Sequence, residues 1–194
     1  SEEGNFEGSN ILYLTNSFKH FQGKYGRDFE FKLDSILNKL YQLREQRVHP
    51  LRDDKLIVAW ASAFISTLCQ AGQYFRENEW IQSAEKAVKL ILGNCVEKNF
   101  RLCRIYLNQK VSIEGQLEDY VNLIDALLCV YDLTSKHAYL KQANLLMQKC
   151  LEEFWDAQKG ALYLSPSNQV GPQLTRSLSA ADGAILSPVS TALS

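Results

Sequence analysis

Acidic residues recur at intervals along this sequence, and they are the first feature that could do chemistry. They stand in Arg52-Asp53-Asp54-Lys55, in Leu117-Glu118-Asp119-Tyr120 and in Ala181-Asp182-Gly183-Ala184, with Asp54, Asp119 and Asp182 spaced 65 and 63 residues apart. Two carboxylates can divide the acid and base roles on either side of a sugar bond, an inverting pair standing roughly 6.5–9.5 Å apart. Asp54 with Glu118 or Asp119 is the catalytic pair on offer. Trp60 and Tyr120 follow the first two clusters, where a ring could stack on a sugar, although core packing is the simpler account of the rings, of Trp60 above all. Arg52, Asp53 and Lys55 are substrate contacts or, more simply, partners that hold the acids ionised. Arg104 and Arg176 could grip an anionic substrate or form exposed salt bridges. An epimerase would take a proton from one face of a sugar and return it to the other, work that suits histidine. Of His20, His49 and His137, only His49 lies beside an acidic cluster. No His/Cys/Asp set at metal-ligand spacing occurs, so neither a metal nor another cofactor is expected.

The acids also suit helix openings, which is their simplest role. Pro50 lacks an N–H and turns Val48 and His49 away from helix, so one helix should end there and another start at Asp53 or Asp54, with an acid at the positive end of its dipole. The helix before it spans Asp28 to about Gln46, with Leu33, Ile36, Leu37, Leu40 and Tyr41 on one face. Residues 1–27 read as loop, with Ile11–Leu14 as a possible strand.

From about Asp54 to Phe75 the chain is apolar on most sides, the mark of a helix packed all round. The next helix, about Asn78 to Asn94, carries a single stripe: Trp80, Ile81, Ala84, Ala87, Val88, Ile91, Leu92 and Cys95. A strand is expected at Phe100–Leu107, followed by a polar loop through Gly115. The pattern then returns, with an apolar helix from about Asp119 to Leu133, a striped one from about His137 to Phe154, and a strand at Ala161–Ser165. Every stripe position of the second outer helix, from Tyr139 to Phe154, lies 59 residues after its counterpart. This is an internal repeat of about 60 residues: an inner buried helix, a turn, an outer amphipathic helix and a short β-hairpin. The 65-residue interval between the first acids implies a first inner helix about six residues longer than the second. A third would open at Asp182 and run over Ser187–Ser194.

In such an array the inner helices run the same way, so the acidic openings should share one mouth. The period is too long for tetratricopeptide or ankyrin repeats. Long buried inner helices favour an all-α fold, a partial (α/α) toroid of helical hairpins with short β-hairpins at the mouth. A ring of six hairpins needs roughly 360 residues at this period. Residues 1–194 are therefore expected to form a single partial-toroid domain of a longer protein, with an edge exposed where the ring is cut. That edge could serve self-association.

The composition narrows the partners. The 194 residues are 46% hydrophobic and 22% charged, with 21 Lys and Arg against 22 Asp and Glu. There is no basic block to bind nucleic acid or an acidic membrane and no apolar run of spanning length. A sugar-like small molecule is the expected ligand and the cytoplasm the expected location. The five cysteines lack a Cys-x-x-Cys pair and read as reduced core residues.

Several motifs in order carry a resemblance: Gly4-Asn5-Phe6-Glu7-Gly8-Ser9-Asn10-Ile11-Leu12, Pro50 to Lys55 with Trp60, Gly115 to Tyr120, Phe154-Trp155-Asp156, and Arg176 with Asp182-Gly183-Ala184. Together they resemble the C-terminal region of the YyaL-type, spermatogenesis-associated thioredoxin-like family over nearly the whole chain. The resemblance implies a six-hairpin toroid similar to N-acylglucosamine 2-epimerases and certain glycosidases, normally joined to an N-terminal thioredoxin-like domain that this sequence lacks. It also implies a carbohydrate-type pocket, epimerase-like or glycosidase-like. The chain departs from the family pattern at Ala61, where Asn is usual, at Leu178 and Ala181, where Lys and Tyr are usual, and at Leu186-Ser187-Pro188-Val189 in place of Pro-Ser-x-Asn. Loss of these polar groups supports the alternative, a non-catalytic binding or scaffold module with a degenerate pocket.

Overall fold

The computed structural model describes residues 4–8, 10–26, 28–167, 175–183 and 185–193. The chain divides into two compact units, Ser1–Arg52 and Asp53–Ser194. The first holds two helices, α1 (Phe18–Tyr25) and α2 (Asp28–Glu45). The second helix matches its expected span. The first falls where a loop was expected: Ser17 caps it, its hydroxyl accepting from the His20 N–H, and Phe18, Phe21 and Tyr25 gather round Phe29. A short polar stretch containing Gly23 hides such a helix from a reading of periodicity. Ile11–Leu14 forms no strand and is exposed.

The second unit runs β1 (Leu56–Ile57), α3 (Val58–Phe75), α4 (Asn78–Asn94), β2 (Cys103–Leu107), β3 (Lys110–Glu114), α5 (Leu117–Thr134), α6 (His137–Phe154), β4 (Trp155–Asp156), β5 (Ala161–Leu162) and α7 (Pro188–Leu193). The repeat is regular. Both inner helices, α3 and α5, have 18 residues and start 59 residues apart; the outer helices, α4 with 17 residues and α6 with 18, also start 59 residues apart. The longer first inner helix expected from the acid spacing is absent, because Asp54 does not open α3. Each inner helix ends on a left-handed residue, Arg76 and Ser135, again 59 apart. That conformation turns the chain sharply into the outer helix.

The outer helices bury the centre of each expected stripe, while Trp80, Leu140 and Leu151 at the stripe edges stay exposed. Ala84, Val88 and Ile91 of α4, with Ala143, Leu146, Cys150 and Phe154 of α6, pack on Val58, Ile65 and Cys69 of α3 and on Leu123, Leu127 and Val130 of α5. The two inner helices lie side by side and parallel. Ser66 donates to Asp125 Oδ2 at 2.6 Å, and Asn122 donates to the Ala59 carbonyl at 3.1 Å. Cys69, Cys95 and Cys150 are buried free thiols, and burial pushes the Cys150 thiol up to about 12.

The expectation for α3 fails on one side. It is not enclosed, since Trp60 and Phe64 remain 62% and 61% exposed. Apolar residues on every side of a helix show that it can be surrounded, not that it is.

At the end carrying the inner-helix N-termini, β1, β2 and β3 form an antiparallel sheet in that order, Leu56 facing Tyr106 and Cys103 facing Glu114. The stretch expected as polar loop before Gly115 is thus largely the strand β3. The second hairpin, β4 with β5, is shorter than the strand expected at Ala161–Ser165. The third inner helix is seen as the six residues of α7; Ala184 and Ser194 lie outside the described residues. Among the described residues no helix is long and apolar enough to cross a membrane.

Candidate functional site

The mouth is built round Asp119. Gln116 and Asp119 form a capping box at the start of α5, the Gln116 N–H donating to Asp119 Oδ2 at 2.9 Å. The other oxygen, Oδ1, accepts the Ala59 N–H at 2.9 Å. Ala59 lies in the first turn of α3, which has no side-chain cap of its own. One carboxylate therefore caps two parallel helices whose N-terminal dipoles both favour a negative charge there. Arg104, on β2, completes the arrangement: Nη1 reaches Asp119 Oδ2 at 2.9 Å and Nη2 reaches Glu118 Oε1 at 2.5 Å. Burial pushes the Asp119 carboxyl up, opposed by the Gln116 N–H, Arg104 and the Ala59 N–H. All three are N–H donors and require oxygen lone pairs, not a carboxyl proton.

Glu118 differs from its neighbour. Its side chain is 31% exposed, and with Asn122 it lines a cleft of about 240 Å³ closed on the other side by Gly183, Leu186 and Ser187. The structure thus brings Glu118, Asp119 and Arg104 together, but only Glu118 of the three expected catalytic carboxylates lines this cleft. Asp54 is exposed in the segment before β1. Asp53 folds back on Lys55, accepting from its N–H at 3.2 Å and pairing with Nζ at 3.1 Å, and this hydrogen bonding holds its carboxyl below the usual range. The N-cap expected at Asp53 or Asp54 is therefore replaced by a local turn, with α3 starting at Val58.

The other expected binding residues fall in several places. Tyr120 is only 2% exposed; its hydroxyl accepts the Leu102 N–H at 2.9 Å and its ring meets Phe154 edge-on at 5.3 Å. It belongs to the core and cannot offer a sugar a ring face. Trp60 is the reverse, exposed on the bare side of α3. Arg176 donates to the carbonyls of Ser165 and Glu153 and lies 4.2 Å over the Tyr163 ring. Through Nε and Nη2 it ties down the backbone beside the second hairpin. Asp182 accepts the Ser187 N–H at 2.8 Å and the Ser190 hydroxyl at 2.7 Å, fastening the start of α7. His49 and Arg52 belong to the first unit and are exposed. Gln116 and Asn122 went unnoticed in the sequence. Gln116-x-x-Asp119 is a readable variant of the capping-box pattern, whereas nothing local marks Asn122.

Among the described residues no three His, Cys, Asp or Glu side chains gather as a metal site would require. No family model matches the chain. Human spermatogenesis-associated protein 20 is 28% identical over 175 residues, which is 84% of this chain and 22% of that protein. The rat protein of the same name is 26% identical over 174 residues, covering the same shares of each chain.

The chain is homologous to spermatogenesis-associated protein 20.

An uncharacterized protein of Caenorhabditis elegans is 33% identical over 132 residues, 64% of this chain and 18% of that protein. The chain thus spans about a fifth of the length of these curated relatives. Among solved structures, a GH76 alpha-mannanase of Bacteroides thetaiotaomicron superposes with a TM-score of 0.54 at 13% identity, over 60% of this chain and 33% of that one. The fold is accordingly a partial α/α toroid, as the repeat predicted. The resemblance to the thioredoxin-linked family is borne out by the homologues.

Proposed function

We propose that the cleft at the inner-helix N-termini is a carbohydrate-type pocket in which Glu118 is the carboxylate that meets the ligand. The observation that carries this reading is the Arg104 guanidinium, which grips Glu118 with one nitrogen and the buried Asp119 with another. Glu118 is held in a fixed position at the cleft, and a carboxylate fixed in this way accepts sugar hydroxyls with little ordering cost. Asp119 is then a positioning residue. It sets the register of α3 and α5 and anchors Arg104, while its own oxygens are taken up by three donors. Asn122, donating to the Ala59 carbonyl from the next turn of α5, supports the same wall.

Glycoside hydrolysis would require a second carboxylate across the sugar from Glu118, and epimerisation would require bases on both faces. Sugar binding is therefore the part of the family chemistry that these residues support by themselves. A second reading, a scaffold with a degenerate pocket, is favoured by the full engagement of Asp119 and by the core position of Tyr120.

A thermal-shift screen separates the two. Neutral monosaccharides and short oligosaccharides, including mannosides in view of the mannanase neighbour, should raise the melting temperature of the chain by mass action. The shift should disappear in Glu118→Gln, whose melting without sugar should be nearly unchanged because the side chain is part-exposed. Absence of a shift with every sugar favours the scaffold.

A further inference from the structure

The polar groups of the Glu118 cleft are unevenly divided between donors and acceptors. Arg104 takes Oε1 of Glu118, which leaves Oε2 to the cleft. Asn122 spends its amide nitrogen on the Ala59 carbonyl and keeps its side-chain oxygen as an acceptor. Across the cleft the hydrogens are committed elsewhere. The Gly183 N–H goes to the Ile185 carbonyl at 3.0 Å, and the Ser187 N–H goes to Asp182 Oδ1 at 2.8 Å. The Ser190 hydroxyl also donates to Asp182, so in the 3.0 Å pair of serine hydroxyls it is Ser187 that donates and Ser190 that accepts.

Charge points the same way. Glu118 and Asp119 belong to one wall and Asp182 supports the other through Ser187, against the single guanidinium of Arg104. No Lys or Arg lines the cleft among the described residues. The N-termini of α3 and α5 lie at this end and would by themselves favour an anion. Asp119 already fills that role, since it is fully buried and accepts the Ala59 and Gln116 N–H groups. A further negative charge, such as a phosphate or a uronic carboxylate, would be repelled by Glu118 and Asp182.

One chemical group matches both features. An ammonium has three donors, no acceptor and a positive charge, and its hydrogen bond to a carboxylate is charge-assisted. Resting on the sugar pocket proposed above, we infer that the preferred ligand of the cleft is an amino sugar with a free amine, its ammonium bonded to Glu118 Oε2 and facing the wall that Asp182 supports. Arg104 fixes the carboxylate before the ligand arrives, so little ordering is left to be done on binding. N-acylation removes the charge and two of the three donors, so an acylated sugar gains no such advantage.

Titration calorimetry of the whole chain tests this with glucosamine and mannosamine beside glucose, mannose, N-acetylglucosamine and mannose 6-phosphate. At about pH 6 each amino sugar should bind at least about fivefold more tightly than its neutral parent. The acetylated sugar should bind no better than the neutral ones, and the phosphate worst. The advantage of the amine should fall as salt screens the charges and vanish at about pH 9, where such an amine is neutral. Asp182→Asn separates charge from structure. Its side-chain oxygen still accepts from Ser187 and Ser190, so its melting should stay close to native and its glucose binding unchanged while the advantage of the amine narrows. Glucose and mannose binding as tightly as their amino counterparts, the phosphate binding best, or amino-sugar binding undiminished in Glu118→Gln overturns this inference and leaves a sugar pocket standing. Failure of every sugar to bind overturns the pocket and the inference with it.

Discussion

Replacing Asp119 with alanine should loosen two helices at once. The side chain is fully buried and accepts the Gln116 N–H, the Ala59 N–H and Arg104 Nη1, each at 2.9 Å. Alanine leaves two backbone donors buried without acceptors, at about 1–3 kcal/mol each. Arg104 keeps Glu118 as a partner, so little is added for the broken ion pair. The expected loss is about 3–4 kcal/mol, which for a chain of this size lowers the melting temperature by about 10 °C. Asp119→Asn retains one carbonyl oxygen and should lose about half as much. Urea unfolding followed by far-UV circular dichroism measures both, and the slope should be unchanged, because the denatured state is the same. A loss below about 1 kcal/mol for alanine refutes the claim that one carboxylate caps both helices. So would an equal loss for alanine and asparagine.

Three further outcomes follow from the packing. Glu85 on α4 accepts from Lys136, Tyr139 and Lys89, which hold its carboxyl down at about 2 against an ordinary value of 4.5. A depressed carboxyl pKa stabilises the fold above the unfolded value. The deficit of Glu85→Gln relative to the native chain should thus be constant from neutral pH to about 4.5 and shrink to nothing towards about 2, as read by urea unfolding at each pH. Gly115→Ala should cost about 2 kcal/mol, because a Cβ there would lie 2.7 Å from the Leu102 carbonyl oxygen, and the hairpin that carries Arg104 would have to move. Arg176→Ala should release the backbone at Glu153 and Ser165 and raise amide exchange at Ser167 and Leu164, with little change in α4; protection equal to the native chain contradicts the anchoring role.

The helices α2, α4 and α6 could be read from the sequence within a residue or so, because a one-sided stripe has a period and the period fixes which side packs. The 59-residue repeat was legible for the same reason. The opening of α3 was not. Asp53 and Asp54 look like caps, but the acceptor that α3 uses is Asp119, 60 residues from Ala59, and only the packing of parallel helices brings it there. Equating Asp54 with Asp119 followed from their chemical likeness, yet the repeat sets Trp60 opposite Asp119. Tyr120 and Arg176 were misjudged on similar grounds. Their polar atoms meet a backbone N–H and backbone carbonyls, partners that no side-chain pattern announces. Glu118 beside Arg104 was within reach of the sequence, since both had been placed at the mouth, but their contact depends on the strand register of β2.

The most direct test of the pocket is titration calorimetry of the native chain and of Glu118→Gln with the sugar that gives the largest thermal shift. A single-site isotherm for the native chain, weakened at least tenfold in the variant while both melt alike, is the result predicted for a carboxylate that accepts sugar hydroxyls at the cleft. Equal binding by the two proteins would place the sugar elsewhere and contradict the assignment.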